Sequence, residues 1–124
     1  MEATFYGQVG GHAFFERLVE NFYARVEHDE LLRPMYPEDL SESKRHFALF
    51  LEQYWGGPRH YSEERGHPRL RMRHAPFRID GAARDAWFAA MSSALETERT
   101  GLSDEQFNEL RGYFDTVAHQ MRNV

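Results

Sequence analysis

The 124 residues hold 15 Lys and Arg against 20 Asp and Glu, a formal net charge of −5, and no cysteine. Without cysteine there are no disulfides, no thiolate-held metals and no thioether link to a cofactor, and an acidic balance with no long basic run argues against non-specific nucleic-acid binding. The length suits one domain over residues 1–124, burying about two-thirds of its unfolded surface; no stretch approaches the roughly 18 apolar residues of a membrane span, and no leader pattern opens the chain, so the expectation is a cytoplasmic protein without a membrane partner.

After a lead carrying Phe5 and Tyr6, Gly10-Gly11 interrupts the chain. Phe14, Phe15, Leu18, Val19, Phe22, Tyr23 and Val26 then recur at helical spacing, with Glu16, Arg17, Glu20 and Arg25 on the opposite face. Tyr23 is the polar member of that apolar stripe, and a buried hydroxyl needs a partner, which any carbonyl or a cavity ligand would supply. Pro34 and Pro37 keep Met35-Tyr36 out of a long helix and set Tyr36 at a corner. Ser41 or Ser43 can cap a segment in which Phe47, Phe50, Leu51 and Tyr54 keep helical spacing until Gly56-Gly57-Pro58.

From Arg59 to Arg73 the chain is polar and basic. His60, His67 and His74 recur every seven residues, which on one helix would align them as metal ligands, but Gly66 and Pro68 interrupt such a helix. Pro68 suits a first helical turn and Pro76 disfavours helix at Ala75, so the two prolines frame a short helix with His74 in its last turn, Leu70 four and Arg71 three residues before it. A neutral imidazole there can give its inner N–H to a main-chain carbonyl near Leu70 and keep its outer nitrogen for a metal; equally, it can be a satisfied structural histidine.

Asp80 starts a further helix with Trp87, Met91, Ala94 and Leu95 on its apolar face, and Ser103-Asp104-Glu105-Gln106 reads as a capping box before a last helix carrying Phe107, Leu110, Phe114, Val117 and Met121. No repeat and no alternating strand pattern occurs, so the class is all-α, with four longer amphipathic helices packing their stripes together. Aromatic residues make up 15% of the chain, which suits the lining of a large apolar pocket and also plain core packing. Tyr23, Tyr36 and Trp87 are aromatic groups with one donor each, at positions expected to face inward.

Four blocks together resemble the group II truncated haemoglobins: Phe22-Tyr23-Ala24, the corner Tyr36-Pro37-Glu38-Asp39, the run from Phe50 to Pro58, and His67 to Phe77 followed by Asp85-Ala86-Trp87. The resemblance covers almost the whole chain and keeps the order and spacing of that family. It implies a two-on-two α-helical globin sandwich around one non-covalent haem b (iron protoporphyrin IX), with His74 as proximal iron ligand and the opposite face open to O2, CO or NO. Tyr23, Tyr36 and Trp87 match its distal donors, which implies slow O2 release; Phe47 takes a distal position often held by Leu or Gln, and Ser43 takes a small pocket gate. Arg45, His46, Arg71 and Arg73 are the candidates for the haem propionates, Arg71 foremost.

The function so implied is reversible binding of O2 and other diatomic ligands, with sulfide or cyanide as further ligands of the ferric state. The alternative is a haem enzyme, an NO dioxygenase or a peroxidase-like catalyst served by a reductase, because the haem performs the chemistry and the protein tunes it. Oligomeric state is not legible. A haem-free His/carboxylate metal protein is disfavoured by the lack of paired Glu-x-x-His motifs.

Overall fold

Thr4 begins the described part of the computed structural model, which covers residues 4–124. Its hydroxyl accepts the Gly7 N–H at 3.1 Å and so starts a single helical turn, α1 (Phe5–Gln8), in the lead segment. Gly10 at φ 119° breaks that turn from α2 (Gly11–Val26), whose apolar stripe is buried as its periodicity demands. A 3-10 turn at Arg33–Met35 makes the corner before α3 (Ser41–Tyr54). After α4 (His60–Arg65) and α5 (Leu70–His74) come the two longest helices, α6 (Gly81–Thr97) and α7 (Asp104–Met121).

Helix α2 packs on α3 and α6, α6 on α7, and α5 on α7. The short link between α6 and α7 returns the chain against itself as a helical hairpin. Phe14, Phe15, Leu18, Phe22, Leu51, Met91, Leu95 and Leu110 form the fully buried centre. The architecture is the all-α one that the four stripes require.

Two helix starts follow their local capping signals. Asp80 accepts the Ala83 N–H at 2.9 Å, and Ser103 with Gln106 makes the reciprocal capping box. At α3, however, neither Ser41 nor Ser43 caps: the Asp39 carboxylate accepts the Ser41 N–H at 2.9 Å, and that bond holds its pKa below the ordinary carboxylate value. The Pro37 corner presents Asp39 early enough to take the role.

The basic stretch also differs from its expected course. A six-residue helix, α4, forms there because Tyr61 is buried edge-on against Phe50, and Gln53 both accepts the Ser62 N–H and donates to the Ser62 hydroxyl. Gly66 at φ 73° ends it, so the three histidines share no helix. Pro68 lies outside α5: the His67 ring accepts the Arg69 N–H at 3.2 Å, Arg69 turns left-handed at φ 48°, and the helix starts only at Leu70.

Glu52, 3% exposed, is the one buried charged residue among those described. It is held from α2 by His12 Nδ1, while His12 Nε2 meets Glu16 at 2.8 Å. With a carboxylate on each ring nitrogen the imidazolium is favoured, and the bond to Glu52 above all raises the His12 pKa. A group raised on folding stabilises fully below its unfolded value of about 6.5 and loses that contribution as pH rises through the folded value. His12→Gln is therefore expected to flatten the loss of stability between pH 6 and pH 9 by about 0.5 kcal/mol, the size of a solvent-screened pair, in urea unfolding at the two pH values. Identical pH slopes in both proteins would contradict this.

Candidate functional site

Helices α2 to α7 enclose a cavity of about 370 Å³. Its wall is mostly apolar, with Leu32, Phe47, Phe50, Leu51, Leu70, Ile79, Phe114 and Met121 among its members. The lining includes Arg65, Arg73 and Arg84 and no carboxylate. That combination selects an apolar guest bearing anionic groups.

His74 projects into this cavity from the last residue of α5. Its Nδ1 lies 2.6 Å from the Leu70 carbonyl oxygen. A carbonyl can only accept, so Nδ1 carries the proton, and in the neutral ring Nε2 holds a free lone pair. The inner N–H partner expected from the i, i−4 relation is thus present. No group of three or more His, Asp or Glu side chains able to hold a bare metal ion occurs among the described residues. A single imidazole in an apolar chamber suits a metal that brings its other ligands with it.

The segment bearing His74 is fastened by a residue that periodicity does not mark. Asn123, beyond the end of α7, donates to the Phe77 carbonyl at 2.8 Å and to the His74 carbonyl at 3.4 Å, and its own side-chain oxygen accepts the Ile79 N–H at 2.9 Å. Its backbone N–H also meets the Ile79 carbonyl. With Asn123 and His74 49 positions apart in the chain, no sequence pattern announces the clamp.

Tyr23, Tyr36, Trp87, Phe47 and Ser43 all line the same cavity. The Tyr23 and Tyr36 rings meet edge to face with centroids 5.5 Å apart, and Phe47 stands 6.3 Å from Tyr23 and 6.4 Å from Trp87. Phe22 supports this cluster from below, 5.0 Å from Tyr23 and 5.4 Å from Trp87. The Trp87 indole, a donor beside the Tyr36 hydroxyl, acts to lower the Tyr36 pKa. Burial nevertheless pushes the Tyr36 pKa up to about 12, and burial followed by the neighbouring Tyr36 pushes Tyr23 up further. Both phenols stay protonated at ordinary pH and remain donors.

The cationic wall is arranged differently from the expected one. Arg73 lines the cavity and is steadied by its Nε donating to the Pro68 carbonyl at 2.7 Å, whereas Arg71, exposed like Arg73, is outside the lining. A helix of five residues offers one side to the chamber: Leu70, Arg73 and His74 take it, and Arg71 and Met72 face water. Arg45 is likewise outside the lining, engaged with Glu42 and Glu64 on the surface. His46 lines the cavity but accepts a hydrogen bond from Arg65, and burial and then Arg65 hold its pKa below the ordinary histidine value, so it serves as a neutral support. Arg65 sits in the stretch already marked as basic, but its cavity role depends on His46, 19 residues earlier.

The chain matches the family described as bacterial-like globin over residues 4–123. It is 42% identical over 113 residues to the group 2 truncated haemoglobin YjbI of Bacillus subtilis (strain 168), covering 91% of this chain and 84% of that one. Among solved structures, the haemoglobin of the thermophilic phototrophic bacterium Chloroflexus aurantiacus superposes with a TM-score of 0.94 at 51% identity, over 99% of this chain and 100% of that one. The truncated oxygen-avid haemoglobin of Bacillus subtilis gives a TM-score of 0.90 at 40% identity, over 98% and 100% of the two chains.

Proposed function

The chain belongs to the bacterial-like globin family, as a group II truncated haemoglobin that binds haem and diatomic gases, and on that premise we propose that it holds O2 reversibly and releases it slowly. The observation that carries this reading is one cavity combining a lone imidazole of fixed tautomer, a wall free of carboxylates, and three aromatic donors. On this reading His74 Nε2 is the protein ligand to the iron of a haem b held without covalent attachment. Arg65 and Arg73 answer the propionates, each with a planar guanidinium suited to a carboxylate.

When bound, the haem supplies one open coordination position for O2, CO or NO, and sulfide or cyanide in the ferric state. The residues of the chain then decide how long such a ligand stays. Tyr36, Tyr23 and Trp87 offer preorganised donors in a mostly apolar chamber, and a ligand whose outer atom carries partial negative charge gains most from them. Trp87 and Tyr36 act on one another within the same lining, so both donors serve one region of the chamber. Phe47 narrows the chamber, and the small Ser43 leaves an access path at its rim. The description of the Bacillus subtilis relative as oxygen-avid supports the same reading.

Absorption spectroscopy tests it. Purified protein supplied with haem is expected to show a Soret band that shifts under CO, with O2 off-rates well below those of an open, donor-free pocket. A haem-supplied protein with no Soret band would refute the proposal.

A further inference from the structure

Residues 65–79 hold five arginines, Arg65, Arg69, Arg71, Arg73 and Arg78, and no Asp or Glu, so the rest of the chain carries ten basic side chains against all 20 acidic ones. All five arginines are exposed. Arg65 is engaged with His46 and Arg73 with the Pro68 carbonyl, and Arg78 only approaches Asp80, at 3.9 Å. The Arg69 and Arg71 guanidinium groups meet no carboxylate among the described residues. Elsewhere arginines do find acids, as Arg17 finds Glu98, Arg45 Glu64, Arg84 Asp115 and Arg99 Asp104.

Two large apolar side chains of the same stretch stand in water, Met72 at 60% and Phe77 at 41% exposure. Arginine, methionine and an aromatic ring together, without acids, are what the centre of an interface is made of. The wall is also thin at this place. Leu70, Arg73, His74 and Phe77 line the cavity, so one segment of chain separates it from solvent, and Phe77 borders both.

From this arrangement we infer that the exposed face of residues 69–78 docks an acidic electron-carrier protein, with Arg69, Arg71 and Arg78 meeting its carboxylates around Met72 and Phe77. The inference rests on the haem reading above, since O2 is held only by ferrous iron and iron left ferric has to be reduced again. In that step the reduced centre of the carrier gives up one electron and ferric iron takes it; no bond forms and no proton passes between them. A carrier seated on the thin wall is brought as near to the cofactor as the chain allows.

The charge pattern favours a compact acidic protein over other anions. Guanidinium groups meet carboxylates in a bidentate fork. An extended anionic surface, such as a bilayer or a nucleic acid, would also confront Glu63, Glu64 and Asp80 at the ends of the stretch, whereas one acidic patch covers the arginines alone. The acidic remainder of the chain repels such a carrier from the other faces and so orients the encounter.

The test uses haem-loaded protein, verified by its Soret band, and a plant-type two-iron ferredoxin as the acidic carrier. With gallium in place of the ferredoxin iron no electron passes, and amide shifts of the isotope-labelled, CO-bound protein are expected to change at residues 69–78. Stopped-flow reduction of the ferric protein by the native ferredoxin should slow roughly tenfold in Arg71→Glu, and similarly on raising salt from about 20 to about 300 mM. Arg111→Glu makes the same change of net charge on the exposed side of α7 and should leave the rate as it is, with the Soret band and its CO shift unchanged in both variants. Shifts confined to another face, or equal slowing in Arg111→Glu, overturn the inference. Arg71-dependent co-sedimentation with phosphatidylglycerol vesicles, without ferredoxin binding, gives the face to a lipid surface and overturns it too. A Soret band with no ferredoxin binding overturns it alone, whereas no Soret band overturns the haem reading and this inference with it.

Discussion

Replacing His74 with alanine is expected to abolish the stable Soret band of the haem-supplied protein, or to leave a weak one that exogenous imidazole restores. The side chain is the cavity imidazole whose inner nitrogen is committed to the Leu70 carbonyl, which leaves one lone pair directed elsewhere. The other histidine of the wall, His46, is engaged with Arg65 and does not replace it. A cavity opened by losing the ring leaves space for added imidazole, so rescue separates loss of ligation from loss of fold. Unchanged haem affinity and spectrum in His74→Ala would remove His74 from the role proposed for it.

The second large effect concerns escape of O2. Trp87→Phe and Tyr36→Phe are each expected to raise the O2 dissociation rate roughly ten- to a hundredfold, because one hydrogen bond to a charged or polarised acceptor is worth about 1.5–3 kcal/mol and each 1.4 kcal/mol is about tenfold. The two side chains line the same cavity and act on one another, so their effects should not add. If Trp87 acts by aiming the Tyr36 hydroxyl, the double variant releases O2 little faster than Tyr36→Phe alone. Multiplying rate effects in the double variant would assign the two donors independent bonds to the ligand. Stopped-flow displacement of O2 by CO reads both outcomes. Unchanged off-rates in both single variants would remove them from control of release.

Much of this architecture was legible in the sequence because it depends on neighbours three and four residues apart. The stripe Phe14 to Val26, the Ser103–Gln106 box and the bond from His74 back to Leu70 all follow from helical geometry. Features that depend on where a short helix begins were harder to read. The helix α5 begins only at Leu70, after the left-handed turn at Arg69, and Arg73 rather than Arg71 lines the cavity beside His74. Likewise the cap of α3 passes to Asp39 once the Pro37 corner is formed, and α4 needs the Gln53–Ser62 bonds to be worth forming at all. His46 as an acceptor for Arg65, and Asn123 as a clamp, join residues far apart in the chain and leave no periodic trace.

The Asn123 clamp also bears on the order in which the molecule assembles. The α6–α7 hairpin closes through a short connection, whereas docking the His74 segment on Asn123 requires closing a loop of 49 residues, a contact of high sequence separation for little buried apolar area. The proximal wall is then among the last parts to order during folding and among the first to loosen during native-state fluctuations. Loss of the cofactor can on this basis proceed through a local opening at α5 while the α2–α3–α6–α7 core stays intact, so cofactor retention and global stability become separately adjustable properties of one small chain.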